Sequence, residues 1–285
     1  MNRHRIAPLV SALVVLEWAA VVIGCAPGRA RPPACAVPSS GFAVDARFID
    51  LSHAYDEQTI YWPTEDGFKL EKEYDGITPA GFYYASNKLS TPEHGGTHID
   101  APVHFARGRA TVDGISLERL IGPAIVVDVT EACAKDRDYR VTVADFENWE
   151  RAHGAIPNGA IVLLRTGFSR FWPDRERYLG TVERGQQGVD KLHFPGLHSD
   201  AAVWLVDARR IRAVGLDTAS IDYGPSKSFD THRALFEREV PAFENLTNLE
   251  KVPATGATVI ALPMKIRGGS GGPLRAVAIV PSAGR

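Results

Sequence analysis

The sequence predicts an α/β fold, and three observations predict it. Apolar runs of strand length recur at Pro123–Val129, Gly159–Arg165 and Ile211–Asp217. These runs are apolar almost throughout, as strands are when both faces are covered. Segments with helical spacing lie between them: Thr142 to about Ala152, with Val143, Phe146 and Trp149 three apart, and Ser199 to about Ala208. Such a strand–helix–strand rhythm separates the fold from an all-β sandwich.

In chain order, Met1-Asn2-Arg3-His4-Arg5 is a basic n-region, and Ile6 to Gly24 is mostly apolar, interrupted by Glu17. The ending Val22-Ile23-Gly24-Cys25 resembles the lipobox of bacterial lipoproteins, whose cysteine is lipidated and becomes the mature N-terminus. Residues 1–25 are therefore expected to be a signal peptide with lipobox, and Pro-rich residues 26–42 a flexible tether. Residues 43–285 are the expected folded domain. The resemblance implies export to the periplasmic face of a bacterial membrane, held only by a lipid on Cys25; a cleaved leader and a soluble secreted protein is the alternative. Export means an oxidising compartment, in which Cys35 and Cys133 can pair or stay apart. Neither has a histidine nearby, which argues against a cysteine nucleophile.

Within the domain, Ala43–Leu51 partly alternates and reads as a first strand. Tyr61-Trp62-Pro63 places aromatics in a loop, where Trp62 can wall a pocket for a planar ligand. Phe82-Tyr83-Tyr84 leads a polar strand toward His94. Thr142-Val143-Ala144-Asp145 caps the first helix. Thr166 to Leu192 reads as one long polar loop, and Asp222 to Asp230 as a shorter one. Thr258–Leu262 and Arg275–Val280 are strands flanking a glycine run, Arg267 to Pro273. That run lacks the Lys-Ser/Thr ending of a phosphate loop and opens no helix, so it reads as a hairpin connection. His232 and Glu244, twelve positions apart, are each solvent-exposed on sequence grounds alone.

The densest chemistry is His94-Gly95-Gly96-Thr97-His98-Ile99-Asp100-Ala101-Pro102-Val103-His104-Phe105, with three histidines and one aspartate in eleven positions. His98, Asp100 and His104 follow His94 at even offsets of 4, 6 and 10. In an extended chain, even offsets share a face. The odd positions are small or apolar, and Gly95-Gly96 and Pro102 oppose a helix. The expectation is one extended segment presenting two imidazoles and a carboxylate to a cavity. That donor set suits a divalent transition metal and leaves a position open for water or substrate. A lone buried histidine is usually a satisfied core residue; four polar residues on one face demand more.

Composition sets outer bounds. The chain has 285 residues, 45% hydrophobic and 23% charged, with a formal net charge of −2. That is enough chain for a sizeable core. No basic stripe interleaves with aromatics, which argues against nucleic acid as a partner.

The stretch His94–Phe105 closely resembles the signature of the metal-dependent cyclase-like family, which includes bacterial kynurenine formamidases and isatin hydrolases. Ile49-Asp50-Leu51-Ser52-His53, Trp62-Pro63, Phe194-Pro195-Gly196-Leu197, Gly215-Leu216-Asp217-Thr218, Glu244-Asn245-Leu246 and Ile260-Ala261-Leu262-Pro263 through Arg275-Ala276 fall in the family's order. The resemblance implies a single compact domain around a mixed, barrel-like β-sheet with peripheral helices, the cyclase-like swivelling fold, in a homodimer or higher assembly. It implies that His94, His98 and Asp100 hold a first metal, and that His104 is the catalytic histidine beside it. It implies that His232 and Glu244, sharing Asp100, hold a second. Glu244 tilts the resemblance toward the formamidase branch, since the isatin-hydrolase branch lacks that residue. The implied activity is hydrolysis of an aryl amide C–N bond by metal-activated water, with one or two Zn or Mn ions. Trp62 would stack on the aryl group, and Glu244 would accept the water's proton if one ion binds. A cyclic-amide hydrolase is the nearest alternative. Kynurenine formamidase serves tryptophan breakdown in the cytoplasm, whereas this chain reads as exported, a departure from the family's address. Two other classes compete: a non-haem Fe(II) oxygenase using His98, Asp100 and His232, which leaves His94 and His104 idle, and a solute-binding lipoprotein, which leaves the donor set idle.

Overall fold

The apolar runs become the wall of a closed sheet. A computed structural model describes residues 46–281, all within one compact unit, Ser40–Arg285. The leader, the tether, Cys25 and Cys35 lie outside the described residues. In chain order the strands are β1 (Arg47–Asp50), β2 (Lys69–Ile77), β3 (Tyr83–Ser90), β4 (His98–Asp100), β5 (Ile121–Asp128), β6 (Arg140–Val141), β7 (Ile161–Arg165), β8 (Gly196–Leu197), β9 (Ala213–Leu216), β10 (Ala242–Glu244), β11 (Ala257–Pro263) and β12 (Gly271–Val280). The helices are α1 (Leu117–Leu120), α2 (Thr130–Lys135), α3 (Val143–His153), α4 (Arg175–Leu179), α5 (Gly185–Val189), α6 (Ser199–Arg209) and α7 (Asp230–Phe236).

The main sheet runs β1-β12-β11-β5-β7-β9-β10-β4, and β4 pairs back to β12. Seven strands thus close a mixed barrel, with β1 paired alongside the far end of β12. β5, β7, β9 and β10 are mutually parallel, and helical crossovers join them, as parallel pairing requires. This explains their unbroken apolar character. Ala124, Val126, Ile161 and Leu163 belong to one core cluster with Ile99, Phe243 and Ala276. Their neighbours Ile125, Val127, Val162 and Leu164 belong to the other, beneath α3 and α6 with Phe146 and Leu205. α3 starts where expected: the Asp145 carboxylate accepts the Thr142 N–H at 2.7 Å, closing a capping box. Trp149 Nε1 donates to Val126 O at 2.9 Å and ties the helix to the barrel.

Two expectations are corrected. Among the described residues the first strand runs Arg47–Asp50, so Leu51 falls just past its end, and Ala43 to Asp45 lie outside those residues. Thr166–Leu192 is not a plain loop; it holds a 3₁₀ turn, Phe168–Phe171, and α4 and α5, with Phe168, Tyr178, Leu179 and Leu192 buried. These elements are too short to show a period. The polar strand expected before His94 is β3, and it pairs with β2 in a hairpin that exposes Leu70, Ile77, Phe82, Tyr83, Tyr84 and Leu89. Among the described residues no helix is long and apolar enough to cross a membrane.

Candidate metal centre

β4 lies between β10 and β12, with His98 opposite Glu244 and Asp100 opposite Gly271. The stretch His94–His104 is not one extended strand, and this corrects the even-offset reading. Only His98 and Asp100 share a strand face. Gly95 (φ 149°) and Gly96 (φ 57°) kink the chain before them, because the Tyr61 and Tyr55 rings occupy the space a Cβ would need. After them, Pro102–His104 winds into a 3₁₀ turn, with proline at its start where no N–H is required. Kink and turn carry His94 and His104 back over Asp100. Gly271 is needed across from it, since a Cβ there would sit 2.6 Å from His94 Cε1.

Asp100 is the hub. Its Oδ1 lies 2.7 Å from His94 Nδ1 and 3.2 Å from His98 Nε2; its Oδ2 lies 3.2 Å from His232 Nε2. Glu244 reaches the same imidazoles, with Oε2 3.5 Å from His98 Nε2 and Oε1 3.4 Å from His232 Nε2. His98, Asp100 and Glu244 form one cluster of potential ligands, and His94, Asp100 and His104 another, both sharing Asp100. Asp100, His98, His232 and Glu244 are all at most 3% exposed. For His232 and Glu244 this corrects the exposed reading: α7 and β10 turn them inward. His104 stacks on His94 at 3.8 Å. Trp62 lines the same cavity of about 410 Å³, with Phe105 and Phe229 completing an aromatic wall.

Partners outside the cluster aim the imidazoles. His98 Nδ1 donates to Gly96 O at 2.9 Å, turning Nε2 inward. His232 Nδ1 donates to Asp222 at 2.6 Å with the same effect. Asn245 donates to Gly96 O at 2.8 Å and accepts from the buried Tyr178 hydroxyl at 2.8 Å. Supports of this kind fix tautomer and ring orientation. Sequence reasoning missed Asp222, Asn245, Glu93, Ser270, Phe105 and Phe229 as functional residues. Glu93, Asn245 and Phe105 stand next to predicted ligands or the predicted catalytic histidine in the chain; Asp222 and Ser270 carry no local signal.

Charge follows burial and pairing. Burial would lower His98 and His232, but Asp100 and Glu244, with Asp222 at His232, reverse it and hold both above the usual range, His232 well above. Burial would raise Asp100, yet the surrounding histidines, His94 foremost, hold it well below. Burial and then Asp100 raise Glu244. Burial lowers His104 to about 4, partly offset by Asp100. Two buried carboxylates facing inward-turned imidazole nitrogens match what a divalent N/O-ligated cation requires. Cys133 takes no part: it is buried, and burial pushes its thiol up to about 12.

The family model described as putative cyclase matches residues 49–223. An isatin hydrolase of Roseibium aggregatum is 34% identical, covering 74% of this chain and 80% of its own. A kynurenine formamidase of Sphingopyxis alaskensis is 29% identical, covering 81% and 97%. Among solved structures, isatin hydrolase A from Ralstonia solanacearum superposes with a TM-score of 0.74 at 32% identity, covering 83% and 92%. A predicted metal-dependent hydrolase from Bacillus stearothermophilus does so with a TM-score of 0.60 at 27% identity, covering 82% and 98%. With the family model spanning more than half of the chain, and a relative 34% identical over most of it, this protein belongs to the cyclase family.

Proposed function

We propose that this protein is a metal-dependent hydrolase of an aryl amide C–N bond, arylformamidase-like. The observation that carries the proposal is the buried Asp100 hub, where four imidazoles and Glu244 converge on the floor of an aromatic-walled cavity. His94, His98 and Asp100 would hold one ion, and His232 and Glu244, sharing Asp100, a second. Zn or Mn suits this set of nitrogen and oxygen donors. A divalent ion there supplies a nucleophile near neutral pH by lowering the pKa of water, and polarises a carbonyl.

The remaining chemistry belongs to the chain. His104, kept neutral at pH 7 by burial, accepts a proton from the attacking water and hands it to the leaving nitrogen. Positioned groups of this kind contribute roughly 10²–10⁴-fold. With one ion bound, Glu244, its carboxyl raised by burial, takes the water's proton instead of acting as a ligand. Trp62, Phe105 and Phe229 stack on the aryl ring and exclude water.

A second reading, a neutral cyclic amide of the isatin type, is favoured by the cavity's charge. Among the described residues its lining holds no lysine or arginine, and Glu65 and Glu93 stand in it; a substrate carboxylate would find no counter-charge. The Fe(II) oxygenase reading leaves Glu244 and two histidines of the cluster unused.

Four further proposals rest on the sequence and the hairpin. Residues 1–25 export the chain, Cys25 carries a lipid anchor at the periplasmic face, and residues 26–42 tether the domain of residues 43–285. The apolar side chains on β2–β3 support a homodimer or higher assembly, since a lone two-stranded hairpin is marginally stable in water.

The test is hydrolysis of N-formylkynurenine and of isatin by protein reconstituted with Zn or Mn, with and without chelator. Metal-dependent turnover of either supports the amidohydrolase reading. Turnover of neither, with the ion bound, overturns it.

A further inference from the structure

Glu93 and Ser270 stand behind His94, and their hydrogens can be counted. The Glu93 carboxylate accepts twice on Oε2, from the Ser270 hydroxyl at 2.6 Å and from the Ser270 N–H at 3.0 Å. An ionised carboxylate only accepts, and a serine hydroxyl has one hydrogen to give. Once that hydrogen points at Glu93, Ser270 Oγ meets its other neighbour, His94 Nε2 at 2.9 Å, with lone pairs alone. The contact is a hydrogen bond only if Nε2 carries the hydrogen. A neutral imidazole protonated at Nε2 has a bare Nδ1, and Nδ1 faces Asp100 Oδ1 at 2.7 Å. Two acceptors at that distance repel unless a cation lies between them, a proton in the metal-free site or a metal ion that takes the proton's place.

The backbone holds this arrangement in place. Glu93 precedes His94 in the chain. Ser270 ends the β11–β12 connection, and its carbonyl accepts the Ala101 N–H at 2.8 Å, just past β4. Gly271 packs against the ring edge. The glycine run that reads as a plain hairpin connection therefore delivers a hydroxyl to a candidate metal ligand 176 positions earlier.

We propose that Glu93 and Ser270 are positioning residues, a carboxylate–hydroxyl relay that locks His94 in its Nε2–H form and presents Nδ1 as a metal donor. The inference rests on the metal-dependent reading above. A hydrogen-bonded partner behind a ligating histidine typically contributes 10–100-fold in metal affinity, and here a serine hydroxyl is inserted between imidazole and carboxylate.

Two measurements test it, both on the Zn-loaded full chain. The first is ¹⁵N-histidine NMR of the unsubstituted protein, which reads the tautomer directly: His94 should carry hydrogen on Nε2 and coordinate through Nδ1. The second is Zn affinity of Ser270→Ala by chelator competition. The ion on His94, His98 and Asp100 should bind about 10–100-fold more weakly, while the ion on His232 and Glu244 binds as before. An Nδ1–H tautomer in the unsubstituted protein overturns the relay, as does a Ser270→Ala affinity within about 2-fold of it. If the unsubstituted protein binds no divalent ion, the metal-dependent reading itself falls, and the relay with it.

Discussion

Replacing Glu244 with glutamine should stabilise the metal-free protein and weaken the metal-loaded one. The ligand atoms of His98, Asp100 and Glu244 all lie within 4.8 Å of one another. Two unit charges about 4.8 Å apart repel by about 3.5 kcal/mol at an effective dielectric near 20, and His98 and His232 cancel part of that. Burial and Asp100 raise the Glu244 carboxyl above its usual value. A carboxyl raised in the folded state holds its proton more tightly there than in the unfolded chain, so the folded state loses stability as pH rises past the ordinary carboxylate range. Glutamine fills the same volume and keeps an acceptor for the Ile221 N–H, which Glu244 binds at 2.7 Å. A net gain of about 1–2 kcal/mol follows, or a Tm rise of roughly 2–8 °C for a protein of this size. With metal the order inverts. An ion at 100 times its Kd stabilises the folded state by about 2.7 kcal/mol, and the variant has lost a charged donor. Scanning calorimetry of both proteins, in chelator and in saturating Zn, measures the crossing. The reasoning is refuted if the metal-free variant is no more stable than the parent, or if both gain equally from metal.

Three shorter predictions accompany it. His104→Ala should keep its metal and lose roughly 10²–10⁴-fold in turnover; metal content by atomic emission beside kcat decides, and undiminished turnover removes the proton-transfer role. His53 stacks on Trp172 at 4.2 Å, and burial holds it at about 4, partly offset by Asp50, against an ordinary 6.5. The unfolded chain therefore takes the proton first, and His53 costs stability as pH falls from about 6.5 toward 4. His53→Phe keeps the stack and should lose on the order of 2 kcal/mol less than the parent between pH 7 and 4.5; parallel urea-unfolding profiles would contradict this. Tyr83→Glu with Leu89→Glu should convert the proposed assembly to monomers in size-exclusion chromatography with light scattering, and an unsubstituted protein that runs as a monomer would count against the hairpin as an interface.

Much of this protein is readable locally. The β5, β7 and β9 runs declare themselves because strands covered on both faces stay apolar throughout. The start of α3 is written in four residues, Thr142 to Asp145. His98 and Asp100 share a face because a strand alternates, whatever surrounds it. The reading of a single extended face from His94 to His104 fails for a reason only half local: Gly95-Gly96 and Pro102 oppose a helix but do not enforce a strand, and the distant Tyr55 and Tyr61 rings pack where glycine alone fits.

The sequence by itself determined the chemistry on offer: an α/β chain with a histidine–aspartate motif suited to a divalent metal. Tertiary structure alone decided the assembly. His232 arrives 132 positions after Asp100 and Ser270 arrives 176 after His94. Each is delivered by the closing of β10 and β12 onto β4. Hydrophobic period says that a strand exists and which face is buried; it does not say which strand will lie beside it. That choice is made when the barrel closes, and closure turns an ordinary helical histidine, a strand-end glutamate and a hairpin serine into parts of one site.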